Sequence, residues 1–290
     1  MAKSRKKKHT SLGEALTVPR GPVDLTSYDA RATPGFSGGK KKGKAALEAL
    51  GKPLSDLQER LFAEGASGGD RAVLLVLQGM DTSGKGGVLR HTVGLVDPQG
   101  VHIRSFKRPT RTELRHDFLW RIERELPGPG MIGVFDRSHY EDVLVPQVHG
   151  ELPRKEITAR YKAINDFEKR LVDAGTVVVK CMLHVSADAQ RQRLLRRLDR
   201  PDKLWKFDPH DVDERVLWPD YREAYEKAIE KTNTAHAPWL VVPADRKWFR
   251  NLAVAEVLHE TLSRMDPAWP GPDFDVAEQR RRLLEEAPPA

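Results

Sequence analysis

The sequence predicts an α/β fold, a parallel sheet with helices on both faces. Two observations carry that prediction. From Arg71 onward, short apolar runs alternate with amphipathic helical stretches, the pattern of strands joined by crossover helices. The first of these runs breaks into a glycine-rich loop at residues 79–85, directly ahead of a helical stretch. With 290 residues and 39% hydrophobic content, the chain has material for one large α/β domain or two smaller ones.

Residues 1–45 read as a basic, weakly structured arm. Lysine-rich runs at 3–8 and 40–44 flank a stretch with Pro, Gly and few large apolar residues. The arm is either a solvated tail or a device that gathers polyanions. Leu47, Leu50, Leu54, Leu57 and Leu61 recur at spacings of three and four, which gives one or two helices packed on the main domain of residues 46–266. Strands are expected at 72–77, 101–106, 131–135, 176–185 and 239–242. The first leads through the loop into a helix from about Gly84 to Leu95. Thr110 and Glu113 form a capping box before a helix with Leu114, Phe118, Leu119 and Ile122 on one side. Ile157, Tyr161, Ile164, Phe167 and Leu171 mark another amphipathic helix. A helix at 247–264 precedes a charged tail, residues 267–290.

Composition narrows the chemistry. A net charge of +7 and a pI near 9.4 favour polyanionic partners: nucleic acid, nucleotides, anionic membranes or inorganic polyphosphate. No run approaches the roughly 18 apolar residues that span a membrane. The single cysteine, Cys181, fits a reducing, cytoplasmic setting and a buried structural role.

The loop at 79–85 fits G-x-x-x-x-G-K, whose backbone N–H groups converge on a phosphate between strand and helix. Gly79 and Gly84 remove side chains that would block the approach, and Lys85 adds a movable charge. The usual closing Ser or Thr is replaced by Gly86, and the loop carries a carboxylate, Asp81. A divalent cation bridging Asp81 to the phosphate resolves that conflict. Asp136 closes an apolar strand where a phosphate-binding α/β fold places an acidic residue, so Asp81 and Asp136 are the expected metal anchors. The alternative for Asp136 is a helix cap.

The stretch 187–200 is expected as a helix with Arg193, Arg197 and Arg200 on one face, Arg196 beside it, and Leu194, Leu195 and Leu198 opposite. A nearly all-cationic face resembles a phosphate-binding lid, here about 187–220, within which the charged segment 199–210, with its two Pro, suits a mobile loop that closes over substrate. Lys107 and Arg108, leaving a strand, are candidates to grip a second phosphate-bearing substrate. His139 is expected to serve in structure or positioning, since a nucleotide phosphate acceptor is already ionised at neutral pH and needs no base.

Five segments in one order carry a resemblance: GMDTSGKGG (79–87), FKRPT (106–110), FDRSHYEDVLV (135–145), QRQRLLRRLDRPDKLWKF (190–207) and TNTAHAPW (232–239). Together they resemble the polyphosphate kinase 2 family, with the SHYEDVLV wording most like its class III. The resemblance implies a P-loop kinase core with a helical lid. It implies transfer of the terminal phosphoryl group of polyphosphate to AMP and/or ADP, with GDP a further acceptor. Asp81, Lys85, Asp136, Arg137 and Arg193 would be the catalytic set. Gly79, Ser83, Gly84, Gly86, Lys107, Arg108, Thr110, Glu141, Arg196 and Arg197 would contact phosphates or nucleotide. Mg²⁺, with Mn²⁺ as a substitute, and a homo-oligomer (dimer or tetramer) are implied as well. Two other readings stand beside it: an ordinary P-loop kinase of nucleoside monophosphates or small molecules, and a nucleic-acid-binding P-loop protein. Against the last, aromatics make up 7% of the chain and are not interleaved with its basic runs.

Overall fold

The computed structural model of the protein describes residues 11–286. Five strands, β1 (Ala72–Gln78), β2 (Val101–Ser105), β3 (Ile132–Asp136), β4 (Thr176–His184) and β5 (Trp239–Pro243), form one parallel sheet in the order β2-β3-β1-β4-β5. All seven residues of β1 are buried, as a central strand covered on both faces requires. The chain leaves β1 for the outer edge, returns through β3, and only then crosses to β4 on the other side. Its connections therefore part at β1, and the carboxyl ends of β1 and β3 open onto a crevice. In register, Leu77 lies beside Asp136, which sets the glycine loop and that aspartate at one edge.

The helices are α1 (Leu12–Leu16), α2 (Lys40–Ala66), α3 (Lys85–His91), α4 (Trp120–Glu123), α5 (Glu141–Val148), α6 (Arg154–Asp173), α7 (Ala187–Leu198), α8 (His210–Asp213), α9 (Trp218–Thr232), α10 (Lys247–Met265) and α11 (Val276–Glu285). One core runs through the sheet and the inward faces of α2, α6, α9 and α10. Among the described residues, no helix is long and apolar enough to cross a membrane.

Four expectations need correction. Residues 11–45 are folded, not weakly structured: Leu12, Leu16, Val18 and Leu25 are buried, and the Val18 N–H donates to the Trp239 carbonyl at 2.9 Å. Few apolar residues were needed because nearly every one is used. The lysine run at 40–44 is the start of the 27-residue α2, whereas the run at 3–8 lies outside the described residues. The helix after the glycine loop stops at His91 and gives way to a 3-10 turn, Val93–Leu95. The Thr110–Glu113 box forms, with the Thr110 N–H donating to Glu113 at 2.6 Å, yet it starts only the 3-10 turn Glu113–Arg115. Asp117 then caps a new start by accepting the Leu119 N–H, so Leu114 stays exposed while Leu119 and Ile122 are buried. The charged tail carries the exposed helix α11, which the sequence reading did not anticipate.

Candidate active site

The loop after β1 folds as its glycines demand. Gly79 has φ +145°, and a Cβ there would lie 2.6 Å from the Leu183 carbonyl. Gly84 has φ +109°, and a Cβ there would meet the Arg250 guanidinium at 1.7 Å. Both positions exclude any larger residue. Thr82 (φ +61°) and Arg137 (φ +65°) are left-handed without being glycine, a local cost of about 1–3 kcal/mol each that often sits at functional sites.

Lys85, 9% exposed, turns back and donates its Nζ to the Gly79 carbonyl at 2.8 Å. Burial lowers its pKa and Arg137 adds to that, against the pull of Asp81, Asp136 and Glu141. Burial by itself would raise the Asp81 pKa, but Lys85 and Arg137 outweigh it, so Asp81 stays below the ordinary carboxylate range. Its Oδ1 accepts from Arg137 Nη2 at 2.8 Å. Glu141 is raised by burial despite Arg137 and Lys85. Arg137 thus stands among three carboxylates, Glu141, Asp81 and Asp136.

A cavity of about 800 Å³ lies over this edge, lined by Gly79, Asp81, Lys107, Arg108, Arg137 and Glu141 together with apolar Leu114, Val145, Pro146 and Trp218. Lys107 and Arg108 are brought in by Arg121. That residue is 5% exposed, donates to the Lys107 carbonyl at 2.8 Å, and is anchored on Asp142 at 2.8 Å. Thr110 is not brought in: its hydroxyl is spent on the cap of Glu113. A second groove of about 750 Å³ runs between α2, α3 and α10, lined by Lys40, Lys44, Arg90, Arg196, Arg246 and Lys247 together with Glu48, Asp245, Leu47, Leu95 and Trp248. Burial lowers the Lys247 pKa, and Arg193, Arg196, Arg250 and Arg200 lower it further, the signature of cations gathered without enough counter-charge.

The arginine stripe differs from the expected one. The inward face of α7 carries Gln190, Arg193 and Leu194, so Leu194 is not opposite the arginines, while Leu195 and Leu198 do face out. Arg193 is held by backbone: it donates to Thr82 O at 2.8 Å, Ser83 O at 3.2 Å, Asp245 O at 3.1 Å and Ala244 O. Arg197 pairs with Asp211 at 3.1 Å, and Arg200 lies past the end of α7 and pairs with Asp202 at 2.8 Å. Two of the four guanidiniums are therefore neutralised locally, which the helical wheel could not show because both partners lie beyond the end of α7, Asp202 in a 3-10 turn and Asp211 in α8. Arg196 lines the second groove.

A family model described as polyphosphate kinase 2 matches residues 38–270, most of the chain. The chain belongs to the polyphosphate kinase 2 family. It is 45% identical over 255 residues to the AMP/ADP-polyphosphate phosphotransferase of Meiothermus ruber, covering 88% of this chain and 94% of that one. It is 42% identical over 275 residues to the ADP-polyphosphate phosphotransferase of Rhodopseudomonas palustris, covering 91% and 92%. The crystal structure of polyphosphate kinase 2 from Arthrobacter aurescens TC1 superposes with a TM-score of 0.93 at 50% identity, covering 97% of this chain and 99% of that one.

Within this polyphosphate kinase 2 fold, the segments that carried the resemblance have distinct places. His139 is fully buried, its Nε2 3.3 Å from Glu168, as a structural residue would be. The 232–239 segment lies at the opposite edge of the sheet and works as a tie. Asn233 donates to the Val18 and Pro19 carbonyls and accepts the Trp239 N–H, and Trp239 Nε1 donates to Thr232. Sequence reading missed Arg250, 2% exposed, which supports the loop from α10 by donating to Ser83 O at 3.2 Å. Burial lowers its pKa to about 10, helped by Arg193. A second glycine beside the loop, Gly87, was the available signal, since a Cβ there would strike the same guanidinium. Gln190, whose Nε2 donates to Asp81 O at 3.1 Å, gave no signal at all.

Proposed function

We propose that the chain is a polyphosphate-dependent nucleotide kinase, moving the terminal phosphoryl group of polyphosphate to AMP or ADP in a reversible reaction. The observation that carries this reading is a pair of unlike cavities, one over the phosphate-binding loop and one beside α3, the helix that the loop starts. The first combines cations with Leu114, Val145, Pro146 and Trp218, which suits a nucleoside bearing phosphates. The second gathers six Lys and Arg side chains against two carboxylates, Glu48 and Asp245, which suits a linear polyanion.

Asp81 and Asp136 are the residues that would hold Mg²⁺. Among the described residues no group of three acidic, His or Cys side chains forms a metal site, so phosphate oxygens would complete the coordination, as in phosphoryl-transfer enzymes generally. The buried, unpartnered Oγ1 of Thr82 and Oγ of Ser83 at the same loop fit a site meant for oxygen-rich ligands. When bound, the metal neutralises phosphate charge and orients it for in-line transfer. Lys85 and Arg137 do the rest of the neutralisation, Lys85 by releasing the Gly79 carbonyl for a phosphate oxygen. Lys107 and Arg108 orient the acceptor. No side chain need remove a proton, because the acceptor oxygen is already ionised. Family resemblance extends the reading to a homo-oligomer in the cytoplasm, the first of which sedimentation measures.

The test is direct. Purified protein is incubated with polyphosphate, Mg²⁺ and AMP or ADP with no other donor, and nucleotides are separated. ADP or ATP must form. Phosphorylation of AMP from ATP but never from polyphosphate would overturn the reading in favour of an ordinary nucleotide kinase.

A further inference from the structure

Helix α9 begins at Trp218, at the end of the lid, and two of its tyrosines reach the site. Tyr221 and Tyr225 are four residues apart and so share one face of the helix. Tyr225 is 4% exposed, and its hydroxyl oxygen accepts the Gly79 N–H at 3.1 Å. The carbonyl of that same glycine accepts Lys85 Nζ, so the first residue of the loop is held at both of its polar groups. One turn earlier, Tyr221 donates to Glu214 Oε2 at 2.7 Å. Glu214 is a lid residue that also meets His210 at 3.3 Å and, from the end of α5, His149 at 3.4 Å. At the far end of α9 the Thr232 carbonyl accepts Lys180 Nζ at 2.8 Å, which pins the helix to β4. The helix is thus fixed at its base, with one tyrosine on the lid and the next on the loop.

We propose that Tyr225 is a positioning residue for phosphoryl transfer, and that the Tyr221–Tyr225 pair couples the seating of the lid to the geometry of the phosphate loop. The proposal rests on the kinase reading for its kinetic consequence but not for its structural one. Without the hydroxyl, the Gly79 N–H is buried with no acceptor. The Gln78–Gly79 peptide relieves this by rotating, which changes φ at Gly79 and so displaces the following peptide, whose carbonyl holds Lys85. Burial, with Glu141 and Asp81 nearby, keeps the phenol protonated at any working pH, so its oxygen remains a neutral acceptor.

Tyr225→Phe, Tyr221→Phe and the double variant keep the rings and test this without opening a cavity. Tyr225→Phe should lower kcat about 10- to 100-fold while KM for AMP stays within about threefold, the pattern of a contact that matters in the transition state. Tyr221→Phe should cost less, and the double variant should lose less than the product of the two singles. Backbone hydrogen exchange over residues 79–85 gives a readout that needs no activity. It should accelerate in Tyr225→Phe, and also in Tyr221→Phe, whose hydroxyl bonds the lid and not the loop. A Tyr225→Phe kcat within twofold of wild type, or unchanged exchange in that loop, overturns the positioning role. Independent, fully multiplicative single effects overturn the coupling. A wild-type protein inactive on polyphosphate overturns the kinase reading alone, and the exchange experiment still decides this one.

Discussion

Arg193 ties two strand ends together, and its removal should be felt as lost stability before it is felt as lost chemistry. Its guanidinium, 8% exposed, joins the Thr82 and Ser83 carbonyls of the phosphate loop to the Ala244 and Asp245 carbonyls after β5. Counted as two forked contacts, and with a net worth of about 1.5–3 kcal/mol for a hydrogen bond to a charged group, the brace is worth roughly 3–6 kcal/mol. Burial of the charge works against it, as the lowered Arg193 pKa records, so we expect Arg193→Ala to cost about 3 kcal/mol, near the bottom of that range. For a chain of this size that is a fall in Tm of roughly 5 °C. Turnover should fall at least about 100-fold, because a loop displaced by an ångström loses in-line geometry. Arg193→Lys, a single ammonium that cannot fork to both loops, should recover part of the Tm and little of the rate. Calorimetry and initial rates on the same preparations are the assay. Lost turnover with Tm unchanged to within about 1 °C would refute the brace and leave direct phosphate contact as the residue's only task.

Asp81→Asn and Asp136→Asn should each lower turnover by at least about two orders of magnitude with the fold intact; near-normal rates at saturating Mg²⁺ would remove that residue from the metal. Lys85→Arg should stay mostly inactive, because a forked guanidinium cannot replace a compact ammonium in the glycine-lined turn, and full activity in that variant would mean that charge alone matters. Glu168→Gln should destabilise by about 3–5 kcal/mol, since Lys180 is fully buried and Glu168 Oε2, at 2.7 Å, is its anionic partner. Burial already lowers the Lys180 pKa, and loss of the carboxylate lowers it further. The folded state then binds fewer protons than the unfolded one, so the deficit should shrink as pH rises from 7 toward the ordinary lysine value. Thermal melts across that range check the sign, and a deficit that grows with pH would contradict it.

Sheet and phosphate loop were legible because their signals are local. An apolar run, a glycine pair and Lys85 lie within fourteen consecutive positions, residues 72–85, and the strand ending in Asp136 is read from five more. What escaped is what depends on distant partners. Arg250 and Tyr225 grip the loop from 167 and 146 residues away, and nothing near either position in the chain marks it. The arginine stripe was legible as a helix and as a basic face. Its charge balance was not, because Asp202 and Asp211 fold back from beyond the last helical turn. The capping box at Thr110 was read correctly as chemistry and wrongly as extent, since a second start at Asp117 interrupts it. In the N-terminal arm the sparseness of apolar residues pointed to disorder, yet almost every one of them, from Leu12 to Leu25, is placed against the core.

That arm decides where the chain can be cut. β5 is an edge strand, and residues 17 and 18 lie along it, with an antiparallel bridge from Thr17 to Leu240 and Asn233 fastening the turn that follows. The family match begins only at residue 38, so trimming to it would remove this cover. Leu12, Leu16, Val18 and Leu25 would go with it, at about 2 kcal/mol each, together with the buried Ala30. The trimmed protein would keep every residue of the phosphate loop and still present a bare strand edge to its neighbours in solution, a template for association between copies. Preparations beginning at residue 11 or earlier should remain dispersed where those beginning at 38 precipitate, and the difference would say nothing about the active site.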